Sequence, residues 1–346
     1  MEGLIFLPRI KILGLDKELI FIQGGMGIGI SLASLAAAVA KWKRAIGTVS
    51  SAALDFIVSL REGKKIGSRD AARIEIGLAK KEGGFIAINI MRAIDRDFIS
   101  SIIGAIEGGV DAIICGAGLP LSLPEYVIEP EEIRGRKVFL IPIISSARAL
   151  EAIIRWWKKH YNRAPDTVIL EGPKAGGHLG FKRIEDLSRE EFQLENLFFE
   201  VKKYATDNGD IPILVAGGIF NRQDIIHWGN LGADGVQMAT RFLITKESDA
   251  SEEFKKAAVH LKKEDIIVVR SPCGDMPFRL IKTSPGYIIT QAKTRMPKCT
   301  RGYVLQKKDG APFCPAKDSC EYFCICNALI EATRAGEKTD QGAFFQ

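Results

Sequence analysis

A chain of 346 residues is long enough for one large α/β domain with an appendage, or for two ordinary domains. Hydrophobic residues make up 47% and charged residues 26%, which excludes a wholly disordered chain. The net charge of +6 is spread along the sequence without a basic block, so nucleic acid is not an expected partner. No run of 18 uncharged apolar residues suggests a membrane span, and no membrane partner is expected.

The opening MEGLIFLPRIKILG carries an acid at position 2 and only a short apolar run. It does not resemble a cleaved signal peptide, and a cytoplasmic location is expected. Short apolar, β-branched runs then recur: Leu19 to Gln23, Ala45 to Val49, Phe85 to Asn89, Asp111 to Cys115, Val138 to Ile144, Thr167 to Leu170, Ile211 to Val215 and Gly235 to Met238. Each precedes a Gly- or Ser-containing loop and then a helical pattern such as SLASLAAAVAKW, RDFISSIIGAIEGG or SARALEAIIRWWKKH. Near-continuous apolar strands read as strands covered on both faces, hence a parallel sheet. Eight such units by about residue 245 predict a (β/α)8 TIM barrel; an open doubly wound sheet is the competing reading. A longer charged helix is predicted within 180–210. Beyond about 270 the alternation stops. The predicted organisation is a barrel over 1–270 and a cysteine-containing extension over 271–346 packed against it.

In a barrel the chemistry sits at the C-terminal strand ends, so the loops there matter most. The first strand leads into QGGMGIGI, which almost matches a dinucleotide fingerprint. The third Gly is absent, and no acid ends the next strand, AIGTVSSA. The seventh leads into Ala216-Gly217-Gly218-Ile219 and the eighth into Met238-Ala239-Thr240-Arg241. Amides of small residues at two such turns suit a phosphate; two plain Gly turns are the alternative. The sixth leads into EGPKAGGHLG, where glycines flank His178 and leave its imidazole, the side chain best suited to proton transfer near neutral pH, open to the mouth. His160, His227 and His260 stand in helical, charged contexts and read as surface residues. Asn89 ends FIAIN as a polar group facing a ligand edge or capping a turn. Ser145, Ser146 and Gly116 to Gly118 are weaker candidates.

QGGMG, FIAINIM, DAIICGAGLP, EGPKAGGHLGF, ILVAGGI and GVQMATRF, in that sequence over roughly 15–245, resemble the nitronate monooxygenase family, formerly 2-nitropropane dioxygenases. That family also includes flavin-dependent enoyl-acyl carrier protein reductases. The resemblance implies a barrel that binds FMN non-covalently. It implies that Gly217, Gly218, Ala239 and Thr240 hold the phosphate. Gly24, Gly25, Met26, Asn89, Glu171, Gly176 and Gly177 would line the flavin, with Met238 completing the cofactor-binding set and His178 as the active-site His. Many members have Gln and Glu where this chain has Glu171 and Lys174, and Gly where Ala239 stands. The implied activity is oxidation of alkyl nitronates with O2. The alternatives are an enoyl reductase drawing on NAD(P)H and a non-redox phosphate-binding barrel enzyme. A small-molecule substrate is expected, and a homodimer is left open.

Cys299, Cys314, Cys320 and Cys324 are separated by 14, 5 and 3 residues, with Cys326 close behind. Four thiolates could bind zinc or an iron–sulfur cluster, although no C-x2-C pair is present. Plain thiols are the other reading.

Overall fold

All eight apolar runs form parallel strands: β1 (Phe21–Gln23), β2 (Ala45–Ser50), β3 (Phe85–Met91), β4 (Ala112–Gly116), β5 (Phe139–Ile144), β6 (Val168–Glu171), β8 (Ile213–Ala216) and β9 (Gly235–Met238). The computed structural model describes residues 19–271 and 276–282, with Tyr303, 306–308, 311–313, Cys326, 329–330 and 332–335. Strand β9 pairs with β1 through Phe21↔Val236 and Gln23↔Met238, which closes the sheet and excludes the open alternative. The helices around it are α1 (Ala33–Lys41), α2 (Leu54–Glu62), α3 (Ser68–Lys80), α4 (Asp95–Gly108), α5 (Ile128–Arg134), α6 (Ala147–Tyr161), α7 (Leu194–Asp207), α8 (Arg222–Asn230), α9 (Thr240–Leu243) and α10 (Glu252–His260). None of the described helices is long and apolar enough to cross a membrane.

Strand residues alternate between two cores. Ile22, Ile46, Ala87, Ile114, Ile141, Ile169 and Leu214 fill the barrel interior, whereas Ile86, Ile88, Ile113, Leu140, Val168, Ile213 and Val236 meet the helices. Helix α6 shows how the sequence supplies the outer layer. Leu150, Ile153, Ile154 and Trp157 recur at helical spacing and are buried. Ser146 caps its start by accepting from the Ala149 amide, and Asn162 ends it in the left-handed conformation at φ 47°. The buried Trp157 indole donates to the Pro120 carbonyl at 3.1 Å, so its polar edge is satisfied. Truncating such a side chain costs about 3–5 kcal/mol.

The N-terminal face of the barrel is stitched three times in one way. Asp111 accepts from the Ile86 amide (2.7 Å), Asp166 from Leu140 (2.8 Å) and Asp234 from Ile213 (2.9 Å). Each acid directly precedes or nearly precedes one strand and takes the free amide at the start of the strand before it. Lys80 (2.7 Å) and Arg136 offset the charge of Asp111. Unpaired, such a carboxylate would be costly to bury.

Three features depart from the reading of the sequence. Two helices, α2 and α3, separate β2 from β3. The stretch before β8 holds two 3-10 turns, Glu185–Ser188 and Glu190–Phe192, ahead of α7. The chain from 266 onward is not turns alone: β10 (Ile266–Arg270) and β11 (Pro277–Ile281) form an antiparallel hairpin across residue 270. Strand β11 then pairs with β7 (Gly177–His178), a short strand inside the loop after β6. Farther along, Tyr303 donates to Asp55 at 2.6 Å beneath the Arg96 guanidinium, and the Ser251 amide donates to Ala332 at 2.9 Å. A separate hairpin joins β12 (Gln306–Lys308) and β13 (Ala311–Phe313).

Candidate active site

The period-2 alternation decides what faces the barrel mouth. Two residues beyond the inward-facing Ala87, Ile169 and Leu214 come Asn89, Glu171 and Ala216 at the C-terminal strand ends. Val236 and Met238 face the helices, which turns Gln237 and Ala239 inward. Hydrogen-bonding groups therefore ring the mouth at Asn89, Glu171 and Gln237. The carboxyl of Glu171 and the amide of Gln237 have no hydrogen-bond partner among the described residues, as expected of groups that meet a ligand.

The loop after β1 is drawn across this mouth. The Gly24 amide donates to the Met238 carbonyl at 2.7 Å, and Asn89 donates to the Gly25 carbonyl at 3.2 Å. Buried Gln23 donates to Ser31 and accepts from the Thr48 amide, each at 2.9 Å, which ties both ends of the loop to β2. Met26 and Met238, expected at the cofactor, send their side chains outward into the shell beneath the helices.

After β6, the loop carrying His178 is held from a distance. The Leu179 amide donates to Pro277 at 2.9 Å, and Ser145 donates to Gly180 at 2.9 Å. Arg279 donates to the carbonyls of Pro173 (2.6 Å) and Ala175 (2.8 Å). The His178 ring packs 4.6 Å from Phe278, and its Nε2 lies 2.7 Å from the Ser271 hydroxyl. Burial holds the imidazole neutral by pushing its pKa down to about 4. Gly176 opens onto free space on its side-chain face, leaving backbone exposed to a flat ligand.

Glu171 is shifted the other way. Burial alone pushes its pKa up from 4.5 to about 7. A group with a raised folded pKa binds more protons folded than unfolded, so its contribution to stability falls as pH rises from 4.5 to 7 and is level above. The shift corresponds to about 3 kcal/mol. Glu171→Gln removes the ionisation. Its melting temperature relative to the native chain should climb by several degrees between about pH 5 and about pH 8 in thermal melts without ligand. A difference independent of pH would mean that Glu171 is not in a desolvated place.

The two expected phosphate turns are neighbours. Ala216 pairs with Gln237, so Gly217–Gly218 and Ala239–Thr240 leave adjacent strand ends. Arg241 lies 4.6 Å over the ring of Phe220, bridging one turn to the other. Gly217 and Gly218 take φ of 103° and 80°, a succession that side chains resist. The amides of Gly217, Gly218 and Ala239 donate to no described acceptor, whereas those of Phe220 and Asn221 are taken by Asp224 in the capping box of α8. Gly24 closes the site from the other side: a β-carbon there would stand 3.2 Å from that of Ala239.

Geometry thus gathers Gly24, Gly25, Asn89, Glu171, Gly176, Gly177, His178, Gly217, Gly218, Ala239 and Thr240 around one mouth. It adds Gln237, Ser271, Phe278 and Arg279, which the sequence reading passed over. Gln237 was legible from its two-residue spacing to Ala239. The other three were not, because their contacts span 93 to 106 residues. Cys299, Cys314, Cys320 and Cys324 lie outside the described residues. Among the described residues no cluster of His, Cys, Asp and Glu could hold a metal ion.

The sequence model of the nitronate monooxygenase family matches residues 70–307. A probable nitronate monooxygenase of Staphylococcus saprophyticus is 33% identical over 181 residues, covering 52% of this chain and 46% of that protein. The chain spans less than half the length of the curated relatives it matches. FabK from Thermotoga maritima superimposes with a TM-score of 0.62 at 25% identity, over 80% of this chain and 75% of that one. A nitroalkane oxidase from Streptomyces ansochromogenes shares the fold, with a TM-score of 0.57 at 20% identity over 76% of each chain.

Proposed function

The chain belongs to the nitronate monooxygenase family, and from that membership we propose that it is an FMN-dependent oxidoreductase that oxidises alkyl nitronates with O2. The observation that carries the reading is the meeting, at one mouth, of a neutral imidazole with two adjacent turns of undonated amides. The residues fit the cofactor. Gly217, Gly218, Ala239 and Thr240 would hold its phosphate. Gly24, Gly25, Asn89, Glu171, Gly176 and Gly177 would surround its ring. When bound, the flavin supplies the electron transfer.

The chain's own part is binding, orientation and proton handling. A neutral His178 accepts a proton from the carbon beside a nitro group. Ser271 at Nε2 fixes the orientation of the ring, and Phe278 packs against it. Asn89 holds the loop after β1 in place through the Gly25 carbonyl.

Reduction of an enoyl thioester with NAD(P)H is the second reading, since the family includes such reductases and this chain departs from its common loop at Glu171 and Lys174. One assay separates them. Oxygen uptake with an alkyl nitronate and no NAD(P)H is expected. Rapid NAD(P)H oxidation only in the presence of a crotonyl or longer enoyl thioester would replace the first reading by the second. A cytoplasmic location and a barrel over 1–270 with an extension over 271–346 belong to the same proposal.

A further inference from the structure

Three cationic side chains surround the two rim turns, and none forms an ion pair among the described residues. Lys174 is exposed, and its stem lies over Gly218: a β-carbon there would stand 3.0 Å from Lys174 Cδ and 3.1 Å from Lys174 Cβ. Arg241 follows directly on the second turn and lays its guanidinium over Phe220 beside the first. Half-buried Arg279 is bound to the carbonyls on either side of Lys174. The Asp224 carboxylate is engaged by the Phe220 and Asn221 amides, beyond the first turn. Lys174, on the loop after β6, thus lies against the first turn, and Arg241 reaches from the second turn to the residue that follows Ile219.

The three cations differ in what else they do. Arg279 holds loop backbone, so its loss would disturb His178 as well. Lys174 makes no hydrogen bond or ion pair among the described residues, and the one contact of Arg241 is with an exposed ring. Neither is needed to hold the barrel together. Charges so placed, on flexible stems over a turn of open amides, complement a doubly charged group.

We propose that Lys174 and Arg241 form a cationic pair over the turns 217–218 and 239–240, and that this pair selects the phosphorylated flavin over uncharged riboflavin. The inference rests on the FMN reading and deepens it. At Lys174 the chain departs from the Glu common in the family. That exchange reverses the charge beside Gly218, so the pair adds to what the backbone amides provide.

The test is fluorescence titration of flavin-stripped protein with FMN and, separately, with riboflavin. Native chain, Lys174→Gln, Arg241→Gln and the double variant are compared at low and moderate KCl. Each single change should weaken FMN about fivefold and the double change about twentyfold, within the range of exposed charge pairs acting on a dianion. Riboflavin affinity should not move, and the salt dependence of FMN binding should flatten in the double variant. Arg241→Lys, which keeps the charge, should bind FMN nearly as the native chain does. Unchanged FMN affinity in the double variant overturns the pair and leaves the cofactor assignment standing. Equal weakening of FMN and riboflavin overturns it too, because the side chains would then be shaping the mouth and not reading charge. A native chain that takes up neither flavin removes the FMN reading itself, and the pair with it.

Discussion

His178→Ala should keep its FMN and lose turnover by about 100- to 10,000-fold, the span of a positioned acid–base group. Flavin content is read from the visible spectrum of the purified variant and turnover from oxygen uptake with a neutral nitroalkane, from which a proton must be taken before oxidation. The two should separate because the ring's contacts are with Phe278 and Ser271, neither of which belongs to the phosphate turns. Its neutrality makes a second demand. Burial pushes the imidazole pKa down to about 4. The native rate should therefore stay level from about pH 8 to about pH 6 and fall only toward about pH 4, as the base is protonated. Stability should respond in the same direction. A base with a lowered folded pKa takes up fewer protons folded than unfolded, so its contribution is lost as pH drops from 6.5 to 4. Turnover unchanged in His178→Ala would remove the imidazole from the mechanism.

Gly218→Asp should lower FMN affinity by at least about 100-fold, through three effects that act together. The φ of 80° disfavours a β-carbon by about 1–2 kcal/mol. That β-carbon would meet the Lys174 stem at 3.0 Å, displacing it. The new carboxylate would compete with phosphate for the turn amides and for Lys174, and would repel a dianion. Gly218→Ala carries the first two effects without the charge and should lose less, so the gap between the two variants reads the anion site alone. A Gly218→Asp protein that purifies with full flavin would place the phosphate somewhere else.

The barrel strands were legible because parallel strands buried on both faces leave near-continuous apolar runs such as Phe85–Asn89 and Val138–Ile144. The rim turns were legible because glycine pairs stand where such runs stop. Side-chain direction was less so. Met26 and Met238 lie beside the mouth in sequence, yet their side chains pack among residues of the surrounding layers, which no local pattern announces. The support of His178 was hidden because β11 reaches β7 from about 100 residues downstream, through a register that no local pattern announces. Ser271 stands in a turn-rich stretch that reads as connection until its contact at 2.7 Å is seen. The acids at 111, 166 and 234 show the reverse case. Each precedes a strand as an ordinary turn residue, and only the closed sheet reveals it as a stitch to the strand before.

A crystal structure of the protein grown with FMN probes the rim turns without reference to substrate. The phosphate should lie within about 3 Å of main-chain amides from both 217–218 and 239–240, with the ring toward His178. A phosphate held by other residues, or crystals that stay colourless in FMN, would show that these turns serve another purpose.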